Sequence, residues 1–108
     1  MMTERRQDPR IDVELTVELR IGEHSIAALA EDLSIGGMCI LTGEGAPSVA
    51  VGERLETSFR LPDLEDALAV PVEVRWVDRA NPRRFGARFT QGLRASQVWA
   101  IERLRSAS

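Results

Sequence analysis

A chain of 108 residues fits one domain with a single core and is too short for two. Its 44% hydrophobic and 29% charged residues are ordinary for a soluble globular protein, and a net charge of −3 argues against a general nucleic-acid binder that neutralises phosphates. The longest apolar run, Ile26 to Ala30, is far short of a membrane span, no signal-peptide core follows Met1, and the lone Cys39 excludes an internal disulfide. These features lean towards a reducing, cytoplasmic setting without membrane insertion.

Residues 1–11 carry Arg5, Arg6 and Arg10 among Glu4, Asp8 and Pro9, with almost no apolar side chain. Pro9 disfavours helix at Asp8 and the segment has no face to bury, so it reads as a flexible arm. Residues 12–105 read as one domain. Val13, Leu15, Val17, Leu19 and Ile21 alternate with Glu14, Thr16, Glu18 and Arg20, the period of a half-buried antiparallel strand. Gly22-Glu23-His24 makes a turn, Ser25 to Leu33 returns, and Ser34-Ile35-Gly36-Gly37 is a tight connection. Met38 to Thr42 forms a short third strand, and a loop with Pro47 and Gly52 leads to a fourth, Leu55 to Leu61, which Pro62 ends.

Ala67 to Val77 is a fifth strand, with Val70, Val72, Val74 and Trp76 on one face and Pro71 marking a bulge or an edge. Asn81 to Arg84 turns the chain into a sixth, Phe85 to Phe89. Ser96 is placed to cap a closing helix on which Val98, Ile101 and Leu104 form a narrow stripe. The fold class is all-β: a small six-stranded antiparallel barrel with one C-terminal helix plugging or covering an end.

Catalysis has little to stand on. The single His24 falls in a turn, Cys39 reads as a small buried hydrophobe, and no His/Cys cluster has metal-ligand spacing. The expectation is a non-enzyme with no metal and no cofactor.

All 14 cationic side chains are arginine, so each is a planar fork suited to guanine edges and phosphates. Two of them, Arg6 and Arg10, are four residues apart; an extended arm separates them by up to roughly 13 Å, enough to grip two points on a nucleotide. Asp32-x-Ser34-x-x-Gly37 has two readings. Asp, Ser and Gly form turns without any ligand. Alternatively, Asp32 accepts from the N1–H and N2–H₂ donors of a guanine, Ser34 adds a hydrogen bond, and Gly37 leaves room where a base or phosphate nears the backbone. The two segments are complementary, because guanine shows acceptors on one edge and donors on another.

Arg6-x-x-x-Arg10 followed by Asp32-x-Ser34-x-x-Gly37, with one strand between, resembles the PilZ domain family of bacterial cyclic di-GMP receptors. Gly52-x-x-Leu55, Phe59-x-Leu61-Pro62, Val74-Arg75-Trp76 and Phe85-Gly86-Ala87-Arg88-Phe89 extend the likeness over almost the whole chain. The resemblance implies that Arg6 and Arg10 clasp guanine Hoogsteen edges and phosphates while Asp32 and Ser34 hold a guanine from the barrel and Gly37 leaves room. Arg5 implies a second, intercalated ligand, and Trp76 matches a position where some members stack an aromatic ring on guanine. Core packing is the other reading of Trp76, and Trp99 is expected to pack on the barrel or meet a partner. The expected protein is a monomer or weak dimer that binds cyclic di-GMP, not nucleic acid, and signals to an unidentified downstream protein by ordering its arm. The alternative is a PilZ-type interaction adaptor that ignores the nucleotide and exposes an apolar patch near Trp99 or Met38.

Overall fold

The computed structural model describes residues 10–62 and 64–107. Strand β1 (Ile11–Ile21) begins one residue ahead of the expected start and buries Ile11, Val17, Leu19 and Ile21 while Glu18 and Arg20 face out. Between Asp12 and Leu15, where the inward side chains are only half-buried, its pairing with β2 (His24–Leu33) shifts register. Gly22-Glu23 is a two-residue turn, so Ile21 pairs with His24 and the histidine opens β2, exposed.

After the Ser34–Gly36 connection come β3 (Gly37–Leu41), β4 (Arg54–Phe59), β5 (Leu68–Val77), β6 (Arg84–Phe89) and helix α1 (Ala95–Ala107). The strands close in the order β1-β2-β3-β6-β5-β4, all antiparallel, with β4 returning to β1 through pairs such as Val17 with Phe59. Closure leaves no open sheet edge. The expected six-stranded antiparallel barrel with a C-terminal helix is the fold observed.

Pro71 is not in a bulge but at a local edge of the ladder. It faces Glu56 of β4, and on its other side β6 has already ended at Phe89, so its missing N–H costs no ladder bond. Its carbonyl accepts from both the amide and the hydroxyl of Thr90.

The inward rows meet in one core. Val17, Leu19, Leu33, Met38, Ile40, Val72, Val74 and Phe85 are fully buried, and the Phe59 and Phe89 rings stack with centroids 6.4 Å apart. Buried Thr57 satisfies its hydroxyl by donating to the Val70 carbonyl at 2.7 Å. The helix adds Ala100 and Ile101 to this core, with Leu104 half-buried beside them. Its start differs from expectation. The helix opens at Ala95, so Ser96 lies inside the first turn; the Arg94 amide is capped instead by Gln97, which reaches back to accept at 2.9 Å. Trp99 does not pack on the barrel; it is 51% exposed, with the Arg103 guanidinium 5.1 Å from its ring.

Leu19→Ala should remove about 2–5 kcal/mol, since the closed barrel collapses poorly around a void. Urea unfolding should show a lower midpoint at an unchanged slope.

Candidate functional site

Two register shifts decide which side chains face out. In β2 the pairing jumps from Ala30–Ile40 to Asp32–Cys39, leaving Glu31 as an extra residue. In β5 it jumps from Val74–Ala87 to Trp76–Gly86, leaving Arg75 extra. Each bulge switches the face that follows it. In β2, Leu33 therefore turns in behind Ala28 and Ala30, and Asp32 turns out. In β5, Trp76 leaves the inward face of Val70, Val72 and Val74 and stands outside, 42% exposed. Core packing of Trp76 is thus excluded.

The result is one outward row across four neighbouring strands: Asp32 on β2, Cys39 on β3, Gly86 on β6 and Trp76 on β5. Its ends lie roughly 14 Å apart, three strand spacings. At one end, Asp32 Oδ1 accepts from the Cys39 amide at 3.1 Å and from Arg10 Nη1 at 2.9 Å. The arm and turn segments thus meet at this carboxylate. Arg5 and Arg6 lie outside the described residues.

Ser34 and Gly37 serve the turn. Ser34 is 4% exposed; its amide donates to the Gly37 carbonyl at 2.9 Å, and its hydroxyl accepts from the Gly36 amide at 3.1 Å and donates to the same carbonyl at 3.4 Å. A Cβ on Gly37 would sit 2.2 Å from the Ala87 carbonyl oxygen, so the space this glycine leaves is filled by β6. The room expected there for a base or phosphate belongs to the neighbouring strand.

Sequence reasoning assigned no role in the site to Gly86, Glu31 and Arg84. The Trp76 indole lies against Gly86, where a Cβ would stand 2.1 Å from Nε1. A glycine inside a strand pattern is the signal of such a close approach. Glu31, the extra residue of the β2 bulge, takes a two-point hydrogen bond from Arg84 at 2.8 and 3.2 Å, and Asp78 lies 3.6 Å from the same guanidinium. The Arg84 hydrogen bond holds the Glu31 carboxyl below its usual range against the opposing effect of burial. Cys39 lies between these carboxylates. Burial first, then the charges of Asp32 and Glu31, push its thiol up to about 11.

A second outward row, Gly37, Arg88, Glu73 and Arg54, runs beside the first across β3, β6, β5 and β4. Its Arg88, Glu73 and Arg54, with Ile35 and Gly36, line an open cleft of about 450 Å³. The surface can therefore accept donors at Asp32, stack a flat ring on Trp76 and meet anions with arginine. Among the described residues, no cluster of His, Cys, Asp and Glu is arranged to hold a metal, and no helix is long and apolar enough to cross a membrane.

The family model described as "PilZ domain" matches residues 4–106. Among solved structures, the chain is similar to the Bacillus subtilis inhibitor of motility MotI/DgrA (24% identity, TM-score 0.77), covering 97% of this chain and 52% of that one. It is also similar to the PilZ domain of Escherichia coli YcgR with c-di-GMP (18%, TM-score 0.72; 96% and 94% covered) and to the K. pneumonia MrkH–c-di-GMP complex (16%, TM-score 0.72; 96% and 52%). It spans about half the length of the Bacillus and Klebsiella proteins and nearly all of the E. coli domain. At these identities the likeness is one of fold. No curated protein matches the sequence.

Gly37→Ala should cost at least about 1–3 kcal/mol, because the obstacle is strand backbone rather than a movable side chain. Thermal unfolding reads this directly. Cys39 should resist a disulfide reagent at pH 8 in the native protein and react fully in denaturant. Because folding raises this thiol from 9.0 to about 11, its contribution to stability is complete below pH 9 and is lost as the pH climbs towards 11.

Proposed function

This chain belongs to the PilZ domain family, and we propose that it is a receptor for cyclic di-GMP. The observation that carries the reading is the Arg10–Asp32 contact at 2.9 Å. It joins the two segments at one carboxylate, on the same outer row as an exposed indole. The solved E. coli and Klebsiella neighbours with c-di-GMP support the choice of ligand.

The chemistry follows from what Asp32 already accepts. A guanidinium and the N1–H, N2–H₂ edge of guanine are both planar arrays of N–H donors, so a guanine takes the place that Arg10 fills in the free protein. Arg10, once released, turns with Arg6 to the Hoogsteen edge and phosphates of the ligand. Ser34 and Gly37 contribute by holding the turn that presents Asp32. At the far end of the row Trp76 stacks on the second base of the dinucleotide. Arg5 is assigned to a second, intercalated ligand molecule.

Signalling follows from the exchange of partners. Ligand draws the segment carrying Arg5 and Arg6 onto the barrel, and the surface so changed is read by a downstream protein in the cytoplasm. The ligand shifts that equilibrium only by its differential affinity for the two arrangements. No step makes or breaks a covalent bond. The adaptor reading has one observation in its favour, the exposed Trp99 on α1. The patch it expected near Met38 is absent, because Met38 is fully buried.

Calorimetric titration with cyclic di-GMP, and with GTP as control, tests the receptor reading. Micromolar or tighter binding is expected, weakened roughly ten- to a hundredfold in Arg6→Ala, Arg10→Ala and Asp32→Ala, the range for a hydrogen bond to a charged group. Two ligands per chain would support the role given to Arg5, and one would remove it. No heat at high ligand would leave the adaptor reading in the lead.

A further inference from the structure

We infer that Gly86 is a positioning residue for the stacking platform: its lack of a side chain sets the height and tilt of the Trp76 indole. The inference rests on the receptor reading and names a residue that touches no ligand. Trp76 and Gly86 are direct cross-strand partners on the outer face. A Cβ at residue 86 would lie 2.1 Å from indole Nε1, 2.3 Å from Cε2 and 2.8 Å from Cδ1, so the pyrrole end of the ring fills the volume a side chain would claim. Every other residue type would lift the ring.

Three features make this more than a packing detail. The indole is 42% exposed: one side is covered by the sheet and the other is open, as a stacking platform requires. The next residue in the row, Cys39, is also small, so nothing tall stands between the platform and Asp32. A ring lying against the sheet holds a stacked purine parallel to the row, and a lifted ring tilts that base away from the carboxylate at the other end. Gly86 thereby couples recognition of one base's face to recognition of the other base's edge.

The nature of the obstacle makes the test clean. At residue 86 an added methyl meets a half-exposed side-chain ring rather than backbone, and that ring can swing outward, so Gly86→Ala should fold. The variant is made in a Trp99→Phe background, leaving Trp76 as the single tryptophan. Its melting temperature and far-ultraviolet spectrum should stay close to those of the parent, while indole emission moves to longer wavelength as the ring enters water.

Cyclic di-GMP affinity is then measured across a double-mutant cycle with Trp76→Ala. Gly86→Ala alone should weaken binding by about fivefold or more, the scale of one base–aromatic stack. On the Trp76→Ala background the same change should cost less than about twofold, because the residue acts only through the ring. Equal losses on both backgrounds, or unaltered emission, would overturn the positioning role and leave the receptor intact. A parent protein that does not bind at all would instead remove the receptor reading, and this role with it.

Discussion

The structure depends on a parity constraint. Side chains alternate along a strand with a period of two, so one extra residue sends everything after it to the opposite face. This barrel uses that twice, at Glu31 and at Arg75. Had β2 run regularly through Glu31, Asp32 would point into the core while Leu33 met water. Had β5 run regularly through Arg75, Trp76 would point inward among valines. The outward row exists because two strands each carry a residue that its neighbour does not match.

The β2 bulge has a local cost that nearby side chains offset. In β2 the Cys39 amide bonds to the Asp32 carboxylate, which leaves that carboxylate anchored at one oxygen and available to a planar donor. The surplus residue, Glu31, is tied to Arg84, which is also close to Asp78. The carboxylates of the site are therefore flanked by arginine on both sides, Arg10 at one and Arg84 at the other. Asp32 is held in place without being fully saturated by its own fold.

Most of the fold was legible in the sequence because alternation is a local signal. The six strands and the helix follow from apolar spacing, and the arm and turn segments of the candidate site from residue type and order. What was missed depends on contacts between distant strands. Trp76 continues a perfect alternation in the sequence, and only the extra residue in its pairing with β6 turns it out. Gly37 reads as room for a ligand, but the atom that forbids a side chain is a carbonyl fifty residues on. Ser96 has the right chemistry for a cap, yet Gln97 supplies it from inside the first turn. The break in spacing from Ala28 and Ala30 to Leu33 was the one visible trace of the β2 bulge.

The barrel interior is filled by side chains, and the candidate site lies wholly on its outer wall. A receptor that swallows its ligand must breathe before it can bind, which ties its response time to rare openings of the core. On the receptor reading proposed above, a ligand laid on this wall would wait only for Arg10 to let go of Asp32, a motion of surface side chains on the picosecond-to-nanosecond scale. Under that reading the protein would follow the rise of its signal as fast as diffusion delivers it, and its memory of that signal would last only as long as the ligand stayed bound.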